Sequence, residues 1–286
     1  MTIGFAGLGN LGAAIARRMI AQGLELELWN RTPGRAPDLT APRSVTPRAL
    51  AAASDTIVLN LFDSDAVAAV LGGESGVLEG LRPGATVIDT TTNDPRRAAE
   101  FHRMVGEAGG RYLEAPVLGS VVPASQGALT ALVSGDAAAF EKSRPVLESF
   151  AKTIFFLEKP GLASRMKLVN NLVLGGFMAV LAEALWLGER AGVDAGRVLE
   201  ILASGAGNST VLNGKRQRLV EHDYAPHFSC AAIAKDLRYA QAMAEGDGLA
   251  VRTGAAPLAA FEEAMRKGFG EEDLCAVYKV FAASGK

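Results

Sequence analysis

Residues 2–19 read TIGFAGLGNLGAAIARRM, and this stretch decides the fold of the first half of the chain. A short apolar run leads into three glycines in G-x-G-x-x-G order, and a helical pattern follows. The first glycine permits a tight turn, the second lets the backbone approach a pyrophosphate, and the third lets helix and strand pack closely. The helix N-terminus offers free N–H groups to phosphate oxygens. The stretch therefore predicts a dinucleotide-binding loop made of Gly7, Leu8, Gly9, Asn10, Leu11 and Gly12.

The end of the next apolar run indicates which dinucleotide binds. LELELW, residues 24–29, is followed by Asn30, Arg31 and Thr32, where an NAD site usually carries Asp or Glu. A carboxylate would repel a ribose 2′-phosphate, whereas a guanidinium group and a hydroxyl can hold one. We therefore predict a preference for NADP(H), with Arg31 beside the 2′-phosphate. Arg35 is either a second positive charge for this site or an ordinary solvated loop residue.

Strand-like and helix-like patterns alternate along the first half of the chain only. The runs TIVLNL, ATVIDT, RYLEAPV, ALTALVSG and TIFFL follow the first two strands, with amphipathic stretches between them. Such alternation is typical of a mostly parallel, doubly wound α/β sheet of the Rossmann type. Beyond residue 160 the patterns are helical alone. We therefore predict a Rossmann domain for NADP over residues 1–160 and an all-helical substrate and dimerisation domain over residues 161–286.

Composition and charge exclude several classes of function. The chain has 286 residues, 49% hydrophobic and 21% charged, and its net charge of −2 gives no electrostatic reason to expect nucleic acid or an anionic membrane. Its two cysteines and three histidines lack the spacing of a disulfide framework or a metal site. We see no signal-peptide pattern, and Glu183 interrupts the longest apolar run before the roughly 20 residues of a bilayer span. We expect a soluble cytoplasmic protein without metal.

A lysine and two amides stand at the start of a long apolar helical pattern. Lys167 and Asn171 are four residues apart, so they share one helix face, and Asn170 lies alongside. Taken alone, such a lysine is usually solvated, with its head in water. The neighbouring asparagines, the preceding Gly161 and a dinucleotide loop in the same chain favour a catalytic lysine instead.

The sequence resembles the β-hydroxyacid dehydrogenase family, which includes 3-hydroxyisobutyrate dehydrogenases and glyoxylate and succinic semialdehyde reductases, and whose fold is that of 6-phosphogluconate dehydrogenase. Five motifs carry the resemblance: GFAGLGNLG, VIDTTTNDP, LEAPVLGSVVPASQGAL, GLASRMKLVNN and HFSCAAIAKDLRYA. The resemblance implies that Lys167 is the general acid or base and that Asn171, with Asn170 beside it, orients the substrate. It places three further residues near the cofactor, namely Leu61, Thr92 and Lys235.

Thr92 and Lys235 could instead have purely structural roles. Thr92 also suits a helix cap, because a helical pattern starts shortly after it. Lys235 also suits a surface ion pair with Asp236 or Glu245, which is worth only ~0.2–1 kcal/mol. After Leu61 the family has a proline, and Phe62 replaces it here.

The substrate loop departs from the family pattern. The family sequence DAPVSGG is EAPVLGS here, so Leu118 replaces the serine, Gly119 matches the first glycine and Ser120 replaces the second. Backbone N–H groups of Gly119 and Ser120 can still hold a substrate carboxylate. Either Leu118 makes the pocket more apolar or Ser120 supplies the missing hydroxyl, and the sequence does not decide between them.

The resemblance implies an NADP-dependent oxidoreductase that transfers hydride between the nicotinamide and a small carboxylated aldehyde or hydroxyacid. An imine reductase of the same architecture is the alternative, although such enzymes generally lack the lysine and the APV loop. A non-catalytic NADP(H)-binding scaffold is a further alternative. The resemblance also implies a homodimer or homotetramer formed through the helical domain. Neither the physiological substrate, the direction nor the pathway follows from the sequence.

Overall fold

The computed structural model describes residues 2–283 and divides the chain into two compact units. The first unit ends at Lys167 and the second begins at Leu168. The two domain ranges predicted from the sequence include Met1 and residues 284–286, which lie outside the described residues. The predicted boundary after residue 160 stays a prediction.

An eight-stranded sheet forms the centre of the first unit. Its first, third and fourth strands are fully buried and mostly apolar, as expected for strands covered on both faces. The strands are β1 (Ile3–Ala6), β2 (Leu26–Trp29), β3 (Thr56–Leu59), β4 (Thr86–Asp89), β5 (Arg111–Glu114), β6 (Val117–Leu118), β7 (Leu129–Gly135) and β8 (Ala151–Phe156).

The strand order is β2-β1-β3-β4-β5-β7-β6, with β8 paired to β7. Strands β1 to β5 run parallel, whereas β7 is antiparallel to β5 and β6 and parallel to β8. The chain goes from β1 to β2 on one side and returns to β3 on the other side of β1. Doubly wound sheets bind ligands at such a switch point, beyond the carboxyl ends of the strands. The predicted mostly parallel, doubly wound sheet is confirmed.

Seven helices accompany the sheet in the first unit. Two apolar clusters pack on the sheet, and successive strand residues alternate between them, so the clusters lie on opposite faces. Ile88 belongs to one cluster, for example, and its neighbour Val87 to the other. The helices are α1 (Asn10–Ala21), α2 (Pro47–Ala53), α3 (Ser64–Gly72), α4 (Val77–Gly80), α5 (Pro95–Glu107), α6 (Val121–Ser125) and α7 (Ala137–Glu148).

The second unit is helical, as predicted, and residues 168–283 contain no strand longer than an isolated bridge. Its core is a third apolar cluster. The last two elements were not anticipated from the sequence pattern. The elements are α8 (Leu162–Arg190, which starts in the first unit), α9 (Ala195–Ser204), α10 (Thr210–Glu221), α11 (Cys230–Gly246), α12 (Ala255–Arg266), a 3₁₀ helix (Leu274–Val277) and α13 (Tyr278–Ala283).

Helix α8 is long and apolar enough to cross a membrane by length and composition, so the expectation that Glu183 rules out a span was wrong. Of its most apolar 18-residue window, 44% is buried inside the protein. Within the second unit, Met178 and Leu185 belong to the apolar core, and Gly175 lies against Leu237 of α11. Core helices of soluble proteins have the same length and composition, so the finding is weak support for a membrane partner.

Candidate functional site

The glycine loop has the shape that pyrophosphate binding requires. Gly7 has φ +100°, and a Cβ there would lie 2.1 Å from the carbonyl oxygen of Asn60. A Cβ on Gly12 would lie 2.0 Å from the carbonyl oxygen of Gly7. At Gly9, the N-cap of α1, no described atom lies within 4 Å of a built Cβ, and no side chain caps the helix. The loop therefore leaves the helix N-terminus open to an anion beside the switch point.

The other three predicted loop residues take different positions. Leu8 is buried in the core, and its backbone N–H donates to Asn30 Oδ1 over 2.8 Å. Asn10 is exposed at the first position of α1, and its Oδ1 lies 3.5 Å from Arg35 Nη2. Leu11 is half-buried against the apolar cluster on one face of the sheet. The side chains of Leu8 and Leu11 thus anchor the loop to the core.

Asn30 ties the end of β2 to the glycine loop. Asn30 Oδ1 accepts from the backbone N–H of Leu8, and Asn30 Nδ2 donates to the carbonyl oxygen of Thr32 over 3.0 Å. A carboxylate at this position would add a negative charge, whereas the amide leaves the loop neutral. Arg31 and Thr32 are both exposed next to it. An exposed guanidinium group and an exposed hydroxyl therefore follow the end of β2.

Leu61 and Thr92 follow β3 and β4 at the same edge of the sheet. The backbone N–H of Leu61 donates to Thr91 Oγ1 over 3.0 Å, and Thr92 is half-buried. Helix α5 is capped by Asp94, whose carboxylate accepts from the backbone N–H of Arg96 over 3.0 Å. The alternative interpretation of Thr92 as the helix cap was therefore wrong.

Lys167 turns into the protein. Lys167 is only 7% exposed, and its Nζ donates to the carbonyl oxygen of Val117 over 2.8 Å. A solvated lysine with its head in water does not fit this geometry. Val117 directly precedes Leu118 and Gly119, so the amine is held at the start of the predicted substrate loop.

The substrate loop forms the turn between β6 and α6. Leu118 ends β6 and is half-buried, and Gly119 is exposed with φ +109°. The positive φ favours glycine here, and a Cβ would lie 2.8 Å from Leu129 Cδ2, so that side chain would have to shift. Ser120 is the N-cap of α6 and is half-buried. Three of the four predicted substrate-binding residues, Leu118, Gly119 and Ser120, thus lie in one turn.

A buried carboxylate that was not predicted from the sequence, Glu114 at the end of β5, bonds to the start of α8. Glu114, 1% exposed, accepts from the N–H groups of Gly161 (2.6 Å) and Ser164 (3.1 Å) and from Ser164 Oγ (2.5 Å). His102 Nε2 lies 3.0 Å from Glu114 Oε1. Burial would raise the pKa of Glu114, but these hydrogen bonds hold it below its usual range. The only sequence signal is the acidic first residue of EAPVLGS.

Within the second unit, a buried polar cluster lies on α8 and α11. Asn171 is fully buried, its Nδ2 donates to Asp236 Oδ2 over 2.6 Å, and its Oδ1 accepts from Asn170 Nδ2 over 3.0 Å. Lys235 Nζ forms an ion pair with Asp236 Oδ1 at 2.8 Å. The ion pair suggested for Lys235 thus exists, but with 12% and 1% side-chain exposure it is not a surface pair. The bond between Asn171 and Asp236 was not predicted from the sequence.

Metal ligands are not clustered in the part of the chain that the structure covers. Among residues 2–283, no group of three or more His, Cys, Asp or Glu side chains could hold a metal ion. Cys230 and Cys275 are buried, and burial raises the pKa of each thiol to about 12. Both cysteines are therefore apolar core residues in the thiol form.

Two family models together match nearly the whole chain. Residues 2–158 match the NAD-binding domain of 6-phosphogluconate dehydrogenase. Residues 161–281 match the NAD-binding domain of NADP-dependent 3-hydroxyisobutyrate dehydrogenase. The two matches meet close to the border between the α/β half and the helical half.

Curated relatives fall into two groups. Glyoxylate/succinic semialdehyde reductase 1 of Arabidopsis thaliana is 31% identical, over 97% of this chain and 97% of the relative. The cytokine-like nuclear factor N-PAC of Xenopus tropicalis is 33% identical, over 98% of this chain and 53% of the relative. The chain therefore spans about half the length of the N-PAC proteins and nearly all of the plant reductase.

Solved structures show the same architecture. A 3-hydroxyisobutyrate dehydrogenase from Salmonella typhimurium is 29% identical, with a TM-score of 0.91 over 98% of this chain and 100% of that one. Psf3 in complex with NADP+ and 2-OPP is 29% identical, with a TM-score of 0.91 over 97% and 99%. An imine reductase from Streptomyces aurantiacus is 25% identical, with a lower TM-score of 0.67 over 98% and 99%.

Proposed function

This chain belongs to the β-hydroxyacid dehydrogenase family, and we propose that it transfers hydride between NADP(H) and a small carboxylated aldehyde or hydroxyacid, with Lys167 as general acid or base. Family members are oxidoreductases that act on CH–OH groups. One observation carries the proposal: Lys167 Nζ is buried and donates to Val117 beside the substrate loop. Lys167, Val117 and the glycine loop all belong to the first unit.

The choice of NADP(H) is supported by the residues around the end of β2. The neutral amide of Asn30, the exposed guanidinium of Arg31 and the hydroxyl of Thr32 suit a 2′-phosphate better than a lone 2′-hydroxyl. A relative of known structure, Psf3, was solved with NADP+. When bound, the nicotinamide supplies or accepts the hydride. The glycine loop, Leu61 and Thr92 would hold the dinucleotide along the switch-point edge.

In the reduction, Lys167 would give a proton to the alkoxide that forms as hydride arrives. Its ammonium has three donors, and the bond to Val117 holds the group next to the substrate loop. In the oxidation, the neutral amine would accept the proton from the hydroxyl. Such positioned proton transfer typically contributes about 10²- to 10⁴-fold in rate.

Within the first unit, substrate binding would use the turn after β6. N–H groups of Gly119 and Ser120 would hold the substrate carboxylate, and Leu118 would present an apolar wall in place of a hydroxyl. Asn171 would hydrogen-bond the substrate oxygen. Asp236 fixes one N–H of that amide, which orients the other.

Two other functions have some support. An imine reductase shares the architecture at 25% identity, but a buried lysine and the EAPVLGS loop speak against it. A non-catalytic NADP(H)-binding protein is favoured by the 33% identity to N-PAC, which its name describes as a nuclear factor. A lysine and an asparagine both held by specific buried hydrogen bonds favour catalysis over a scaffold role.

We also propose that the chain forms a homodimer, with a homotetramer as the larger alternative. Large apolar side chains on α8 are exposed at spacings of three, four and seven residues, which puts them on one face of the helix. A face of this kind pairs with its own copy around a two-fold axis. The apolar stripe consists of Val169, Val173, Phe177, Val180 and Leu187, each 43–64% exposed.

A cofactor and substrate panel tests the proposed function. The protein would be mixed with NADPH or NADH and then with glyoxylate, succinic semialdehyde or a cyclic imine, and nicotinamide oxidation followed by absorbance. Turnover of the acid aldehydes with NADPH is expected. Turnover of the imine alone would support the imine reductase, and tight NADPH binding without turnover would support the scaffold.

A further inference from the structure

Four hydrogen-bond partners surround the carboxylate of Glu114. Oε1 accepts from Gly161 N–H and faces His102 Nε2, while Oε2 accepts from both the N–H and the Oγ of Ser164. Three of these four bonds come from the start of α8. About three of the four acceptor sites of the carboxylate are thus occupied by donors at the start of α8.

The position of this carboxylate suits the helix terminus. The first N–H groups of a helix have no partner within the helix, and the helix dipole is positive at that end. Glu114 supplies both a negative charge and acceptors there, and it comes from a strand 47 to 50 residues earlier in sequence. Gly161, with φ +89°, turns the chain so that its N–H reaches the carboxylate.

The same short segment also fixes the amine. Glu114 holds Gly161 and Ser164, and three residues further along, the carbonyl oxygen of Val117 accepts from Lys167. Residues 114–117 therefore contact α8 at its start and again one turn later. The substrate loop begins at the next residue.

We propose that Glu114 is the positioning residue for Lys167: its carboxylate fixes the first turn of α8 to the strand that leads into the substrate loop, and so sets where Nζ lies. This inference rests on the proposed catalytic role of Lys167. A displacement of about 1 Å at a catalytic group can reduce the rate roughly 10²-fold. Loss of the carboxylate should therefore affect the chemical step rather than cofactor binding.

The first test is independent of activity. E114Q replaces one acceptor oxygen by an amide that donates, so at least one N–H at the start of α8 loses its partner. Hydrogen exchange of a peptide covering residues 161–168 should become at least about tenfold faster. The start of α7, which Asp136 caps, should exchange as in the unchanged protein. Unchanged exchange at residues 161–168 would overturn the proposal.

The second test is kinetic. E114Q should lower kcat about 10- to 100-fold while leaving the NADPH dissociation constant within about twofold. E114D keeps the charge and should restore most of the lost kcat. The surface control E107Q removes an exposed carboxylate paired with Arg103 and should leave kcat unchanged. Equal losses in E114D and E114Q, or a loss confined to the KM for NADPH, would contradict a positioning role.

Failure of the positioning role is distinguishable from failure of the proposed function. If K167A is inactive while E114Q retains kcat, the positioning proposal falls and the dehydrogenase remains. If K167A retains turnover, the catalytic role falls and the positioning proposal falls with it. Should E114Q not fold, S164A removes the Oγ donor alone and should show the same pattern at smaller size.

Discussion

Lys167 and Val117 are joined by a 2.8 Å hydrogen bond from the amine to the backbone carbonyl, although 50 residues separate them in sequence. The bond closes a contact between the first turns of α8 and the end of the sheet's β5–β6 segment. Both partners are buried, with Lys167 7% and Val117 3% exposed. The amine is thus fixed in position before any substrate binds.

Replacing Arg31 by alanine should weaken NADPH binding and leave NADH binding nearly unchanged. A guanidinium group can form charge-assisted bonds with a 2′-phosphate that NADH lacks. The KM for NADPH should rise at least roughly tenfold, since such bonds are worth about 1.5–3 kcal/mol. Arg103→Ala, on the exposed side of α5, is the control. A clear NADH preference in the unchanged protein would contradict our assignment of Arg31.

The two asparagines of α8 should differ in importance. Asn171 is fully buried and held by Asp236, whereas Asn170 is half-exposed and donates to Asn171 alone. Removal of a preorganised donor at a reacting oxygen costs roughly 10²- to 10³-fold in kcat. We expect a loss of this order in N171A and a much smaller one in N170A, measured as kcat with saturating NADPH. Equal losses would count against Asn171 as the orienting amide.

Asp273 should stabilise the helical unit strongly. It is fully buried, its carboxylate accepts from Lys215 Nζ at 2.7 and 2.9 Å, and Arg218 Nη1 lies 3.5 Å away. It also accepts from the backbone N–H of His227 over 3.1 Å. Breaking a buried pair by removing one partner typically costs 3–5 kcal/mol, and we expect about this loss of unfolding free energy for D273N at pH 7. Urea unfolding followed by circular dichroism measures it.

Because of Asp273, the free energy of unfolding should fall at acid pH. Burial opposes ionisation, but the charge of Lys215 and the hydrogen bonds hold the pKa of Asp273 below its ordinary 3.8. A lowered folded-state pKa contributes stability that is fully present above the unfolded value and is lost as pH falls through the folded value. Unfolding free energy should therefore decrease below about pH 3.8, and less steeply in D273N. An equally steep limb in D273N would contradict this assignment.

A charge in the apolar stripe of α8 should dissociate the dimer. Val180 is 64% exposed, so V180D adds a carboxylate to the proposed interface without disturbing the core. Analytical ultracentrifugation should show a dimer for the unchanged protein and a monomer for V180D. Val45, 88% exposed in the first unit, provides the control V45D, which should remain a dimer. A monomeric unchanged protein would refute the interface.

Local sequence patterns were sufficient to predict the glycine loop, the α/β first half and the helical second half. Glycines 7, 9 and 12, the alternation of strands and helices, and the change to helices alone are local signals, and each predicts an element from neighbours in sequence. The motif GLASRMKLVNN likewise placed Lys167 and Asn171 on one helix. The 3₁₀ helix and α13 were missed because both are short, and Asp273 starts the first of them by capping it.

Contacts between distant residues could not be predicted this way. Asn30 bonds to Leu8 across 22 residues, Glu114 to Ser164 across 50, and Asn171 to Asp236 across 65. Each pairing depends on the register of the sheet or the packing of helices, which no local pattern states. The long helix α8 shows the same limit, because its composition alone does not separate a core helix from a membrane span.

The most direct test is to measure kcat and NADPH affinity for K167A, using an acid aldehyde that the unchanged protein reduces. We predict that kcat falls about 10²-fold or more while the NADPH dissociation constant stays within about twofold. Lys167→Arg should be equally impaired, because a guanidinium does not release its proton at neutral pH. Turnover at the original rate in K167A would contradict the account, since the amine held by Val117 would then have no part in the reaction.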